Sequence, residues 1–338
     1  MGWQDHLNGD PLPWLLEHSN PAVRAATLQR LLDAAFDDPE VVRARQEAMH
    51  VDPIASILAA QQPDGWWEKP GPGYSPKYRS TAWQLIFLDH LGADPSHPQV
   101  RRACEYVMRW APTPSGGFAS SGVGQERNPP ASRVIHCLNG NVLHALIAFG
   151  HLEAPAVQAG VLWAARSILG ADEVTYYRSG TSGPGFACVA NDGLPCAWGA
   201  IKELGALALI PQKQRSTRVG QAIEAGVEFL LSRDPAAADY PMGYGNTKPA
   251  ASWFRFGFPS AYVADVLQNL EVLAALGHAR DARLDHAYDL VLSGQDNDGR
   301  WRNRYAYNGR TTVDIERQGE PSKWVTLRAC AVLKARYG

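Results

Sequence analysis

Apolar residues recur along this chain in two kinds of block. Five blocks are apolar on nearly every side: STAWQLIFLDHLG (80–92), LNGNVLHALIAFG (138–150), CAWGAIKELGALALI (196–210), AYVADVLQNLEVLAALG (261–277) and SKWVTLRACAVLKA (322–335). Between them lie blocks whose apolar positions fall on one helical stripe: HPQVRRACEYVMRW (97–110), APAVQAGVLWAARSIL (154–169), TRVGQAIEAGVEFLLSR (217–233) and ARLDHAYDLVLSGQ (282–295). The first kind predicts helices buried all round, the second helices buried along one face. Several blocks stop at Gly, as a left-handed C-cap requires, and Pro near the start of others suits a first helical turn. No run alternates apolar and polar residues as a strand does.

The two kinds alternate at intervals of roughly sixty residues, which is the signature of a repeat architecture. NPAVRAATLQRLLDAA (20–35) supplies a sixth, atypical inner helix and DPEVVRARQEAM (38–49) its outer neighbour. Six inner and six outer helices can close into a ring. The expected fold is therefore all-α, an (α/α)6 toroid. The whole of 1–338 forms one domain, with residues 1–50 closing the ring.

Two short segments share a further pattern. QQPDGWW (61–67) and QDNDGRW (295–301) both read Gln, three residues, Gly, one residue, Trp. Gly permits a left-handed turn at a helix end, Gln can bond the freed backbone groups, and Trp packs back on the helix. These turns and the helix-pair period resemble the repeat family of squalene–hopene cyclases and protein prenyltransferase β subunits. The resemblance spans nearly the whole chain. It implies a reaction chamber at the centre of the ring, lined by inner-helix starts and the loops before them.

Motifs that are missing narrow the resemblance. The Asp-x-Asp-Asp acid motif of the squalene–hopene-type cyclases does not occur; the nearest match, Asp296 to Asp298, lacks the final acid and belongs to a Gln–Trp turn. No Asp-Asp-x-x-Asp is present for diphosphate and Mg²⁺. The zinc motifs of prenyltransferases do not align cleanly, and the more distant lanthionine-cyclase toroids use Cys, Cys and His.

Composition adds three constraints. The chain has 338 residues, 45% hydrophobic and 20% charged, so it can build a large core. A net charge of −2 with dispersed Lys and Arg argues against nucleic acid or an anionic membrane as partner. No apolar run reaches membrane-spanning length, and the start lacks the pattern of a signal peptide, so a cytoplasmic, reducing setting is expected. In such a setting the 5 cysteines are thiols or metal ligands sooner than disulfides. The 11 Trp and 12 Tyr suit large cores or an aromatic-walled pocket.

Three of the cysteines carry the candidate chemistry. Cys137 and Cys196 open consecutive inner helices, and Cys188 lies in the loop before Cys196. All three should face one end of the chamber. Zn²⁺ favours such thiolates in a tetrahedron, with His136, His144 or water in the fourth place. Helix N-termini also lower thiol pKa values. Buried inert thiols and a disulfide or redox pair are the competing readings. Cys104 and Cys330 read as filler.

Further candidates are catalytic. His144 lies two turns beyond Cys137 on the same face. Asp265, in an apolar block, is the leading general acid, with Glu203 and Glu271 behind it; an ion pair with a neighbour such as Lys202 is the alternative for Asp265. Arg178, Arg255 and Arg310 could clamp an anion, and Tyr307 and Asp314 sit in a long loop of the kind that forms lids. The sequence thus leads to an enzyme acting on a small, partly apolar molecule through a Cys-ligated zinc as Lewis acid, nominally in hydrolysis. The alternatives are a metal-free terpenoid-type cyclase or isomerase with Asp265 as acid, and a non-catalytic toroid that binds a prenyl or peptide ligand.

Overall fold

A computed structural model describes residues 2–120, 129–170, 185–237, 240–261 and 263–338. Among them lie thirteen α-helices: α1 (Leu12–Leu15), α2 (Pro21–Arg30), α3 (Pro39–Ala48), α4 (Ile54–Ala59), α5 (Thr81–His90), α6 (Pro98–Trp110), α7 (His136–Ala148), α8 (Pro155–Leu169), α9 (Ala197–Ala208), α10 (Thr217–Leu231), α11 (Val266–Ala275), α12 (Asp285–Ser293) and α13 (Lys323–Tyr337). No named strand occurs among the described residues, only isolated bridges. The all-α expectation holds.

The two kinds of block become two kinds of environment. Every residue from Thr81 to Leu88 in α5 is buried, whereas α6 buries one face through Val100, Ala103, Cys104, Tyr106 and Val107. The fully apolar helices pack in chain order, α5 on α7, α7 on α9, α9 on α11 and α11 on α13. The first four also pack on the amphipathic helix that follows them, as in α5 on α6 and α9 on α10. Helix α13 reaches α2, so the first and last parts of the described chain meet. Lys334 pairs with Asp33 at 2.7 Å, Lys323 pairs with Glu17 at 2.6 Å, and the His6 and Tyr337 rings stack at 3.9 Å.

Local chemistry sets the helix starts. Asn20, Ser216 and Ser322 place a side-chain oxygen on a backbone N–H of the first turn of α2, α10 and α13. Two short helices, α1 and α4, escape the periodicity because one turn or so shows no repeat. Helix α11 starts at Val266, five residues after the start of its apolar block, because Asp265 caps it.

The Gln–Trp turns are near-copies of each other. Trp67 Nε1 donates to the Ile57 carbonyl and Trp301 Nε1 to the Val291 carbonyl, each at 2.7 Å. Trp67 N bonds Thr81 Oγ1 at 3.0 Å and Trp301 N bonds Thr326 Oγ1 at 2.9 Å. The Trp therefore anchors a turn to two helices at once. Gln61 Nε2 reaches a carbonyl of its own turn, Gly65 O at 3.4 Å, as expected, but both Gln side chains bond more closely outside their turns. Gln61 donates to the Gln99 carbonyl at 2.9 Å, and Gln295 accepts from Asn8 N at 2.8 Å, so each ties its turn to a different element.

A third copy at Pro112–Phe118 was hidden because Pro and Phe replace Gln and Trp. Its Phe118 N bonds Asn139 Oδ1 at 2.9 Å, as the tryptophans bond threonine. Gly65 and Gly116 have φ of 99° and 109°, and a Cβ on either would stand 2.6 Å from the carbonyl oxygen of Arg102 or Ala159. Glycine is required there both for the left-handed backbone and for the close approach.

Candidate active site

Helices α7 and α9 approach until their backbones nearly touch. A Cβ on Gly140 would lie 2.3 Å from the Lys202 carbonyl carbon and 2.5 Å from Glu203 N. A Cβ on Gly199 would lie 2.9 Å from His136 Cβ. Two glycines thus bring the starts of α7 and α9 side by side, and with them His136, Cys137 and Cys196.

Cys188 arrives by a tight hairpin. Ala187 and Pro195 form an antiparallel bridge, flanked by Cys188 N to the Leu194 carbonyl at 3.1 Å and Cys196 N to the Phe186 carbonyl at 2.9 Å. The reversal passes through a 3-10 turn at Val189–Asn191, then Asp192 and Gly193 at φ of 58° and 75°. Asn191 Nδ2 pins the turn, donating to the Pro195 and Pro241 carbonyls at 3.0 Å each.

These elements wall a cavity of about 520 Å³. Cys137, Cys188, Cys196 and His136 line it together. Trp198, Tyr240, Met242 and Trp253 supply apolar walls. Lys77 and Arg133 also face it, and no Asp or Glu does among the described residues.

The three thiols are in different electrostatic states. Cys188 is lowered to about 6. The largest cause is the hydrogen bond its sulfur accepts from Cys196; burial opposes this, and the Ala190 N–H and the His136 ring help. Cys196 is raised well above its ordinary value, first because it donates to Cys188 and then by burial. Burial pushes Cys137 up to about 12. Of the three, Cys188 is the thiol whose surroundings favour the thiolate, and Cys196 and Cys137 are those whose surroundings oppose it.

His136 is held rigidly. Its Nδ1 lies 3.3 Å from Glu203 Oε1 and its Nε2 3.2 Å from Ser167 Oγ. Asn139 Nδ2 donates to both Glu203 oxygens, at 3.0 and 3.2 Å. Glu203 is therefore the anchor of an imidazole, and burial raises its pKa. With both ring nitrogens engaged, His136 is not placed to take a proton from Cys188 or to ligate a metal. The three thiols do share a cavity as expected, but they do not fit a zinc site as placed. Among the described residues no three His, Cys, Asp or Glu side chains converge to hold a metal ion.

The remaining expected residues lie elsewhere. Asp265 is 3% exposed and does not line the cavity. It caps α11, accepting from Gln268 N at 2.8 Å and Gly257 N at 3.2 Å, with Arg328 Nη2 at 3.9 Å. Its ionic neighbour is thus Arg328 and not Lys202, which donates to the Ser260 carbonyl at 3.0 Å and to Gln268. Glu271 pairs with Arg328 and Arg30.

His144 sits two turns below the cavity with Nδ1 2.7 Å from Asp89 Oδ2. Burial depresses it most, but the charge and hydrogen bond of Asp89 prevail, so its pKa is raised. Tyr307 is buried against Tyr78, ring centroids 4.4 Å apart, and does not line the cavity. Arg255 and Arg310 are exposed. Arg178 lies outside the described residues.

No family model matches this sequence, and no curated protein matches it. Solved structures similar to it include type II terpene cyclase MstE from Scytonema with geranylgeranyl dihydroxybenzoate, 13% identical over 94% of this chain and 98% of that one, TM-score 0.34. A family 10 polysaccharide lyase from Cellvibrio cellulosa is 15% identical over 68% of this chain and 80% of that one, TM-score 0.34. A protein from Actinoplanes is 13% identical over 83% of this chain and 96% of that one, TM-score 0.33. Terpene cyclases are thus among the structures this chain resembles, as its Gln–Trp turns led one to expect. At these identities and TM-scores the likeness carries no functional reading.

Sequence reasoning missed Arg133, Trp198 and Ser167. Arg133 and Trp198 stand close to Cys137 and Cys196 in the chain, which was the available signal. Ser167 had none, because it reaches His136 from the amphipathic helix α8.

Proposed function

We propose that this chain is an enzyme whose reacting group is the Cys188 thiolate, acting on a small, partly apolar molecule that carries an anionic group. The observation that carries this reading is the placement of Cys188 on the cavity wall, its thiol pKa lowered, with Cys196 brought beside it by the Ala187–Pro195 hairpin. A thiolate formed in this way needs no general base, which suits the engagement of both His136 nitrogens. The aromatic walls would hold the apolar part of the substrate. Among the described residues no partner engages the Arg133 guanidinium, which leaves it to bind the anionic end.

Alkylation measured at each cysteine by mass spectrometry tests the reading. A lowered pKa means that the thiolate is already present above it. The iodoacetamide rate at Cys188 should rise through about pH 6 and flatten by neutrality. An ordinary thiol, with a pKa of about 8.5, is still gaining at pH 8. Cys137 should lag throughout. A zinc held by the three sulfurs would instead shield Cys188 until a chelator is added, and that result would overturn the reading.

The substrate class has its own test. Iodoacetate should react with Cys188 faster than its charge alone allows, relative to iodoacetamide. Arg133→Ala should reduce that preference about tenfold, or about 1.4 kcal/mol. An unchanged ratio would remove the anionic group from the proposal. A Cys188 that alkylates like a free thiol would favour a non-catalytic binding cavity.

A further inference from the structure

Cys188 and Cys196 stand on the two arms of one hairpin and line one cavity, and nucleophilic attack by one leaves the second without a role. Cys196 differs from Cys137 in this respect. Cys137 stands on another helix, whereas Cys196 shares a hairpin with Cys188. That hairpin is closed by Cys188 N to Leu194 O and Cys196 N to Phe186 O, and its turn is tied down by the Asn191 N–H to the Cys188 carbonyl at 2.8 Å and the Gly193 N–H to the same carbonyl at 2.9 Å. Both cysteines line the cavity, so a molecule that reaches one reaches the other.

We infer that Cys188 and Cys196 are the attacking and resolving thiols of a dithiol–disulfide couple that reduces low-molecular-weight disulfides entering the cavity. The inference rests on the reading of Cys188 as the reacting thiolate. In the first step the Cys188 sulfur attacks one sulfur of a disulfide RS–SR. The S–S bond breaks, one RS⁻ leaves, and a Cys188–SR mixed disulfide forms. In the second step Cys196 gives its proton to the departing thiolate or to water and attacks the Cys188 sulfur. The second RS⁻ leaves and the Cys188–Cys196 disulfide remains. The balance is one disulfide reduced to two RSH and one dithiol oxidised, with no other redox partner. A low-molecular-weight thiol in excess reverses both steps and restores the dithiol.

The electrostatics agree with this division of labour. Before reaction Cys196 is the hydrogen-bond donor and Cys188 the anion. Once Cys188 is in a mixed disulfide, the negative charge that holds the Cys196 proton is gone. The resolving thiol is thereby released to ionise after the first step and not before it.

The experiment uses the reduced full chain and bis(2-hydroxyethyl) disulfide, a probe small enough for the cavity. Samples are quenched by acid alkylation and read by intact and peptide mass spectrometry. Wild type should release two mercaptoethanol per chain, lose two thiols and carry a Cys188–Cys196 disulfide. Its first step should be at least tenfold faster than reaction at Cys137. Cys196→Ser should stop at one mercaptoethanol adduct on Cys188 and release one mercaptoethanol. Cys188→Ser should abolish the fast phase, with circular dichroism checking that both variants are folded. A stable mixed disulfide on wild-type Cys188, or a disulfide from Cys188 to Cys137, overturns the couple but leaves the thiolate reading standing. A Cys188 that reacts no faster than Cys137 overturns both.

Discussion

Replacing Arg328 by methionine is expected to lower the unfolding free energy by about 3–5 kcal/mol, read as a shift of the denaturant midpoint. Arg328 is 5% exposed and stands between two acids, Glu271, which Arg30 also meets at 2.9 Å, and Asp265. Its Nε donates to Glu271 Oε2 at 2.8 Å, its Nη1 to the Gly257 carbonyl at 2.9 Å, and its Nη2 lies 3.9 Å from Asp265. Methionine fills much of the space but leaves a buried carboxylate at Asp265 facing none of that charge. The large cost comes from the orphaned acid, because a buried pair replaced whole by apolar residues is often neutral.

The same cluster fixes an acid dependence. Burial, the largest single effect, pushes Glu271 up, but Arg328 and Arg30 outweigh it and hold it down to about 2, below its ordinary 4.5. The folded form then releases this proton more readily than the unfolded form. Its contribution is complete above about pH 4.5 and is lost as pH falls toward 2. Glu271→Gln should flatten that part of the stability profile. An unaltered slope between these pH values would place the acid sensitivity elsewhere.

Gly140→Ala is the second large effect, expected to cost about 3 kcal/mol or more. The new Cβ would meet backbone atoms of Lys202 and Glu203 at 2.3 to 2.6 Å, and backbone cannot step aside as a flexible side chain can. The helices must separate, and with them Cys137 and Cys196. Loss of stability should therefore come with a slower Cys188 alkylation near neutral pH. Gly220→Ala is the control, since its Cβ would meet nothing within 4 Å at the end of the first turn of α10. It should stabilise by about 0.5–1 kcal/mol. Equal effects at the two glycines would mean that helix propensity, and not contact between α7 and α9, governs Gly140.

Helices were legible because burial on every side leaves an unmistakable apolar run, as in α5 and α7. The neighbourhood of Cys137, Cys188 and Cys196 was legible for the same reason, since helix starts in consecutive repeats share one end. What the three thiols do there was not. Seven intervening residues say nothing about sulfur contact until the hairpin around Asn191 brings Cys188 and Cys196 together. Asp265 misled because an acid within an apolar block looks the same whether it faces a chamber or caps a helix. The distinction lies in which backbone N–H groups are nearby, those of Gln268 and Gly257, and Gly257 belongs to a preceding loop. His144 likewise read as a chamber residue because its partner Asp89 stands on another helix.

The meeting of α13 with α2 sets an order of events during synthesis. Residues near Asp33 wait for Lys334, and the surface that α2 turns toward α13 stays wet until α13 has been made. Helices α5, α7 and α9 can dock as they emerge, because each finds its partner in the next repeat. Helix α2, made before these, is thus secured after them. A circular permutant that joins the present ends and opens the exposed stretch at 211–215 should close that seam early and leave Cys188 and Cys196 where they are.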